Sequence, residues 1–95
     1  MISFTVRMRF SPDDRAEIRS ILQNLGAASR QEAGCINYVA HFVESDPDTV
    51  LIYEQYRDAE ALEAHRSSGH FDQYATNGLY RKVRERTMET LQEIV

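Results

Sequence analysis

Every second residue from Ile2 to Phe10 is apolar, and polar residues lie between them. This alternation predicts a strand with one apolar face. Ser11 then suits a helix N-cap, and Pro12 suits the first helical position. Apolar residues spaced by three and four positions from Ile18 to Ala28 predict a long amphipathic helix, with Gly34 as its C-terminal stop.

A hairpin is predicted after this helix. Residues 35–43 alternate as a second strand with apolar groups on both faces, and the polar segment 45–48, Ser-Asp-Pro-Asp, is turn chemistry. Residues 50–57 should therefore return antiparallel to the second strand. Residues 86–95 weakly indicate a closing strand, although their charge would also suit a helix.

The segment 51–74 combines a strand, a helix and two histidines. Asp58 is an N-cap residue before a run of helix formers, and the residues Ser-Ser-Gly at 67–69 interrupt that run. A second helical face follows, formed by Phe71, Tyr74, Ala75 and Gly78. His65 and His70 therefore flank a helix break, and we expect this break to deliver both imidazoles to an apolar chamber above the sheet.

The predicted order βαββαβ is that of an α+β, ferredoxin-like domain, with four antiparallel strands and the helices on one face. The 95 residues have room for one domain, 1–95. Val39, Val43 and alternate residues of the third strand would face away from the helices. A symmetric homodimer that pairs two sheets would cover this apolar patch.

Charge and hydropathy limit the partners and the compartment. The net charge is -4 with acidic and basic residues interleaved, which predicts no nucleic-acid partner. No apolar run reaches the length of a membrane span, and the first residues lack the order of a signal peptide. We therefore expect a cytoplasmic protein with no membrane partner. The single cysteine, Cys35, excludes an internal disulfide and suits a small buried filler.

Three motifs occur in a recognisable order and spacing. They are E-A-G-C-x-x-Y (Glu32 to Tyr38), Y-E-x-Y (Tyr53 to Tyr56) and A-L-x-A-H-x-x-S-x-H-F (Ala61 to Phe71). In this combination the chain resembles the antibiotic biosynthesis monooxygenase domain family. The resemblance implies a ferredoxin-like fold that dimerises into an α+β barrel, and it implies oxygenation of quinols or polyketide anthrones without flavin, haem or metal.

Similar small domains also include haem-degrading enzymes and an isomerase of a phosphorylated signalling sugar. The haem-degrading branch combines a Trp with an Asn of the first strand and a His of the helix. This chain has Tyr56 at the aromatic position and no tryptophan, and its first strand offers Ser3, Thr5 and Arg7. Haem degradation is therefore disfavoured.

A cofactor-free oxygenase must bind an electron-rich phenol, remove its proton and let the anion reduce O2. His65 and His70 are the candidate bases or hydrogen-bond partners. The candidates for an aromatic wall are Tyr53, Tyr56, Phe71 and Tyr74, and those for orienting a substrate oxygen are Asn37, Tyr38 and Glu54. Each also has a structural interpretation: core aromatics for the tyrosines, a strand-edge polar group for Asn37, and an exposed strand carboxylate or a cross-dimer ion pair for Glu54.

No metal site and no cofactor are expected. His65 and His70 lie five residues apart across a helix break, without a Cys/His cluster, and no glycine-rich phosphate loop is present. Two classes of function remain. The first is a monooxygenase that oxidises a small aromatic, quinol or anthrone-type substrate with O2. The second is a non-catalytic small-molecule binding or stress-response domain, and an isomerase of a small phosphorylated sugar lies between them.

Overall fold

Four antiparallel strands form one sheet in the order β2-β3-β1-β4. The structure is a computed structural model that describes residues 1–95. The strands are β1 (Ile2–Arg9), β2 (Cys35–Val43), β3 (Asp46–Tyr56) and β4 (Glu85–Leu91). Each strand coincides with a predicted strand to within a few residues, so the predicted βαββαβ order and ferredoxin-like α+β class are confirmed.

The helical segments lie between β1 and β2 and between β3 and β4. A 3-10 turn (Pro12–Asp14), capped by the Ser11 side chain, leads into α1 (Arg15–Arg30). After β3 come α2 (Ala59–Arg66), a π-helix (Phe71–Leu79) and a short α3 (Tyr80–Lys82). The predicted cap and the predicted break are both present. The Asp58 side chain accepts a hydrogen bond from the Ala61 N–H at 2.8 Å, and α2 ends at Arg66.

The core lies between the sheet and the helices. Alternate residues of β1 and β3 point toward the helices, as the apolar alternation of β1 predicts. They meet apolar residues of α1 and of the π-helix. The buried apolar residues of these four elements are Phe4, Val6, Met8, Val50, Ile52, Tyr56, Ile18, Leu22, Leu25, Ala75 and Leu79.

The predicted role of Gly34 as a helix stop is wrong. Helix α1 ends at Arg30 with Gln31 as its C-cap, and Gly34 has no positive φ. The glycine is needed for another reason. A Cβ atom at this position would lie 2.2 Å from the Cβ of Ala61, so Gly34 lets the loop between α1 and β2 pack directly against α2.

Two predicted boundaries also shift. Strand β3 begins at Asp46 rather than at residue 50, because Val43 pairs with Asp46 and leaves only residues 44–45 as the turn. The predicted helical face from Phe71 to Gly78 assumes an α-helix. In the π-helix, whose hydrogen bonds reach one residue further, the buried positions are Ala75 and Leu79.

The face of the sheet away from the helices carries no helix. Val39, which pairs with Tyr53 on this face, remains 36% exposed. Leu51 lies on the same face because it alternates with buried Ile52 along β3. No helix of the protein combines the length and hydropathy required to cross a membrane.

We expect Gly34→Ala to destabilise the fold because its new methyl group overlaps Ala61. Overpacking of this kind lowers the free energy of unfolding by about 1 to 3 kcal/mol. Urea unfolding of both proteins measures the difference. Gly69→Ala is the matched control, since a Cβ there meets no atom within 4 Å, and its midpoint should stay close to that of the wild type. Equal midpoints for all three proteins would contradict the packing role of Gly34.

Candidate functional site

The helix break places the two predicted histidines beside each other. His65 lies in the last turn of α2, and His70 immediately precedes the π-helix. The Ser68 hydroxyl fixes the break, since it donates to the His65 carbonyl at 2.7 Å and accepts from the Phe71 N–H at 3.1 Å. The two imidazole centroids are 6.2 Å apart. His65 is 2% exposed, whereas 24% of the His70 side chain is exposed.

A carboxylate from the loop between α1 and β2 joins the two imidazoles. Oε2 of Glu32 lies 2.8 Å from Nδ1 of His65 and 2.5 Å from Nε2 of His70. Its other oxygen, Oε1, is buried and has no hydrogen-bond partner. Sequence reasoning placed Glu32 in a motif but not in the site. Its partners lie 33 and 38 residues away, so no local spacing could reveal the contact.

A second carboxylate lies on the inner side of His65. Oε1 of Glu54 is 3.6 Å from Nε2 of His65 and accepts a hydrogen bond from the Tyr56 hydroxyl at 2.7 Å. Glu54 and Tyr56 both lie on the helix-facing side of β3 and are buried. The two carboxylates, the two imidazoles and the tyrosine hydroxyl thus lie next to one another in a row from the surface to the core. We name it the carboxylate–imidazole network, and its members are His70, Glu32, His65, Glu54 and Tyr56.

Burial sets the protonation of this network. It raises the pKa of Glu54 to about 7, although the hydrogen bond from Tyr56 opposes the shift. Burial also lowers the pKa of His65, which favours the neutral ring, while the hydrogen bond to Glu32 works in the opposite direction. The pKa of Tyr56 is raised, first by burial and then by the charge of Glu54. Burial therefore favours the uncharged forms of Glu54, His65 and Tyr56.

Aromatic rings enclose the buried imidazole. The His65 centroid is 5.0 Å from that of Tyr56, 5.2 Å from that of Phe71 and 6.0 Å from that of Tyr38. Phe71 meets His65 edge-on and also packs 6.1 Å from Tyr80, an aromatic residue that the sequence prediction did not include. These rings exclude water from His65 and strengthen its polar contacts.

The structure brings together six of the predicted site residues and separates the others. Asn37 and Tyr53 lie on the opposite face of the sheet, where the Asn37 amide donates to Oε1 of Gln55 at 2.9 Å. Tyr74 is half-buried against the core from the π-helix. The six that meet around the helix break are His65, His70, Tyr38, Glu54, Tyr56 and Phe71.

The expected apolar chamber is not directly at the histidines. A cleft of about 390 Å³ opens instead between α1 and β2, and neither histidine of the network lines it. Tyr38 belongs to both places, because it lines the cleft and lies against His65. Arg19 and Arg30 also line the cleft, which has no acidic residue in its wall.

Three members of the network present metal-ligand atoms to one another. The donor atoms of Glu32, His65 and His70 all lie within 4.8 Å of each other. Imidazole and carboxylate ligands suit first-row transition metals. In the sequence only the two histidines are close together, and the fold adds Glu32 as a third donor from a distant loop.

Comparisons with known proteins agree with this fold and motif set. The family model described as antibiotic biosynthesis monooxygenase matches residues 1–77. A Mycobacterium tuberculosis protein provisionally named monooxygenase Rv0793 is 30% identical over 73 residues, and the match covers 77% of this chain and 71% of that protein.

Solved structures share the whole fold. The crystal structure of PA3566 from Pseudomonas aeruginosa matches with a TM-score of 0.89 at 26% identity, covering 99% of this chain and 94% of that one. A Nitrosomonas europaea protein provisionally named antibiotic biosynthesis monooxygenase matches with a TM-score of 0.92 over 100% of both chains, and at 17% identity it shows the fold alone. With the family model matched over most of its length, the chain belongs to the antibiotic biosynthesis monooxygenase family.

Proposed function

We propose that the protein is a cofactor-independent monooxygenase that oxidises a small aromatic, quinol or anthrone-type compound with O2. Membership of the monooxygenase family supports the reaction class. The observation that carries the proposal is the pair of imidazoles that share one carboxylate at the helix break. Such an arrangement prepares a base for a phenolic proton, which is the one acid/base task that this reaction requires.

In the proposed mechanism His70 is the base. An ionised Glu32 only accepts hydrogen bonds, so it holds the proton of His70 on Nε2 and leaves a lone pair on Nδ1. Nδ1 makes no hydrogen bond within the protein, and the half-exposed ring can meet a substrate hydroxyl. After proton transfer, the carboxylate stabilises the imidazolium, as the acid of a Ser-His-Asp triad does.

The inner half of the network supports this base. Glu32 also accepts from Nδ1 of His65, which fixes the position of its carboxylate relative to His70. The phenolate formed by His70 then reduces O2 directly. For an anthrone-type substrate, whose reacting carbon is a methylene group, the balance is CH2 + O2 → C=O + H2O. The substrate therefore supplies all four electrons, and the protein supplies position, a proton acceptor and a desolvated environment.

A non-catalytic binding domain is the second candidate. The position of the cleft favours it, because Tyr38 separates the wall of the cleft from His65. A ligand that remained in the cleft would contact Tyr38, Arg19 and the apolar wall without reaching an imidazole of the network.

Oxygen uptake distinguishes the two candidates. We expect wild-type protein mixed with quinols or anthrones to consume O2 above background, and His70→Ala to lower the rate by about 100-fold or more, since a positioned base contributes about 10² to 10⁴. His65→Ala should also lower the rate, because it removes the ring that fixes the Glu32 carboxylate beside His70. Glu60→Ala, at an exposed position of α2, is the control and should retain the wild-type rate. Unchanged turnover in His70→Ala would refute the assigned base. An inactive wild type that binds aromatic ligands tightly would favour the binding domain.

The buried acid predicts a pH effect on stability. The pKa of Glu54 rises from 4.5 to about 7 on folding, so the folded state retains a proton that the unfolded state loses between these pH values. Its contribution to stability is therefore lost as pH rises toward 7. Glu54→Gln mimics the protonated acid, and we expect it to stabilise the fold by roughly 1 to 3 kcal/mol at pH 8 and by less at pH 5. Urea unfolding at both pH values measures this gain, and Glu60→Gln should show none.

We also propose that the protein acts in the cytoplasm as a homodimer whose sheets pack face to face. The helix-free face supports this arrangement, since Val39, Leu51 and Tyr53 form an apolar patch in its middle. Strand β4 adds a second feature, because all of its residues are exposed although Met88 and Leu91 are apolar. A second copy that covered the open face would bury the patch.

A charge in the patch should weaken the dimer. We expect Val39→Glu to shift the protein from dimer to monomer in analytical ultracentrifugation, because it would place two carboxylates in an apolar interface. Asn24→Glu, at an exposed position of α1, introduces the same charge away from the sheet and should leave the mass unchanged. A wild-type protein that sediments as a monomer at all concentrations would exclude the dimer.

A further inference from the structure

We propose that Glu32, His65 and His70 form a binding site for one divalent first-row transition-metal ion. The donors are one carboxylate oxygen and two imidazole nitrogens from three separate segments of the chain: the loop after α1, the last turn of α2, and the residue before the π-helix. The inference goes beyond the proposed reaction, which needs no metal, and its test does not depend on finding a substrate.

The spacing of the donors suits a single ion. Metal bonds to imidazole nitrogen and carboxylate oxygen are about 2.0 to 2.2 Å long, so two ligands of one ion lie at most about 4.4 Å apart. Oε2 of Glu32 is 2.8 Å from Nδ1 of His65 and 2.5 Å from Nε2 of His70, and all three donors lie within 4.8 Å of each other. Small rotations of these side chains would place all three around a common centre.

The surroundings of the donors are those of a metal site. A ligating histidine usually donates its second ring N–H to a carboxylate, which fixes the ring and makes it a better ligand. Nε2 of His65 faces Oε1 of Glu54 at 3.6 Å, so Glu54 lies beside the ring nitrogen that this supporting contact would use.

The free oxygen of Glu32 is a second, independent indication. Oε1 is buried without any hydrogen-bond partner, which is costly for a carboxylate oxygen. Bidentate coordination of an ion would satisfy it.

The ligand set selects the class of metal. Two imidazoles and one carboxylate suit Zn²⁺, Fe²⁺, Co²⁺ and similar ions, whereas Mg²⁺ and Ca²⁺ prefer oxygen ligands alone. The side chains of His70 and Glu32 are 24% and 15% exposed, so an ion can reach the donors from solvent and can keep water as a further ligand.

Zinc titration of the chelator-treated full chain tests the site. Equilibrium dialysis followed by elemental analysis should find one Zn²⁺ per chain in the wild type. Co²⁺ should give visible absorption bands of a nitrogen- and oxygen-ligated ion. We expect Glu32→Gln and His70→Asn each to weaken Zn²⁺ binding at least tenfold. His41→Asn is the matched control, because it removes an exposed imidazole outside the cluster, and its affinity should equal that of the wild type.

Two results would overturn the proposal. One is the absence of stoichiometric Zn²⁺ binding by wild-type protein whose circular dichroism shows it folded. The other is Zn²⁺ binding that Glu32→Gln and His70→Asn leave intact, whether or not His41→Asn removes it. His70 is half-exposed, so its variant should fold even if a substitution at buried His65 does not. The metal test does not depend on oxygenase activity, so an inactive protein can still bind Zn²⁺ and an active one can fail to bind it.

Discussion

The structure around the helix break depends on one carboxylate that two imidazoles share. Oε2 of Glu32 contacts both His65 and His70, and this is the point where the loop after α1 meets the second helical segment. The contact requires the loop to lie directly on α2, which Gly34 allows because its Cα–H packs where any side chain would overlap Ala61. Gly34 of the first motif and Ala61 of the third motif therefore pack directly against each other.

Stability alone does not account for this arrangement. Removing a carboxylate from water costs several kcal/mol, and a buried ion pair often contributes no more than a well-packed apolar pair would. Here two acids lie on either side of one buried imidazole, and one of them, Glu54, has its pKa raised to about 7 by burial. Apolar residues of the same volume often give a core that is equally or more stable. Several buried ionisable groups with shifted pKa values in one place are typical of a functional site.

The sequence predicted the parts of the fold that depend on local chemistry. The alternation in β1 identified a strand, Asp58 identified the start of α2, and Ser68 marked the break that brings His65 beside His70. The remaining features depend on contacts between distant residues. Alternation along β3 places the side chains of Glu54 and Tyr53 on opposite faces of the sheet. Only the register against β1 and the packing of the helices determine which of them faces the core.

Glu32 and the π-helix illustrate the same limit. A glutamate in a short loop has no periodicity, and its role appears only when the loop meets α2 across more than 30 residues of sequence. A π-helix has no established signature in the sequence, so the apolar spacing after Gly69 was interpreted as an α-helical face. The sequence therefore predicted most residues of the site, but it did not predict which of them contact one another.

The proton and the proposed metal ion compete for the same atoms. In the proposed mechanism, Glu32 of the metal-free protein holds a proton on Nε2 of His70, which leaves Nδ1 as the base. A metal bound at Nε2 would displace that proton, and the ring would then be neutral only with its proton on Nδ1. The lone pair proposed to accept the phenolic proton would be lost, although no side chain had left the site. The shared carboxylate therefore couples the two proposals: it creates the base by holding a proton, and the same oxygen would suppress the base by holding an ion.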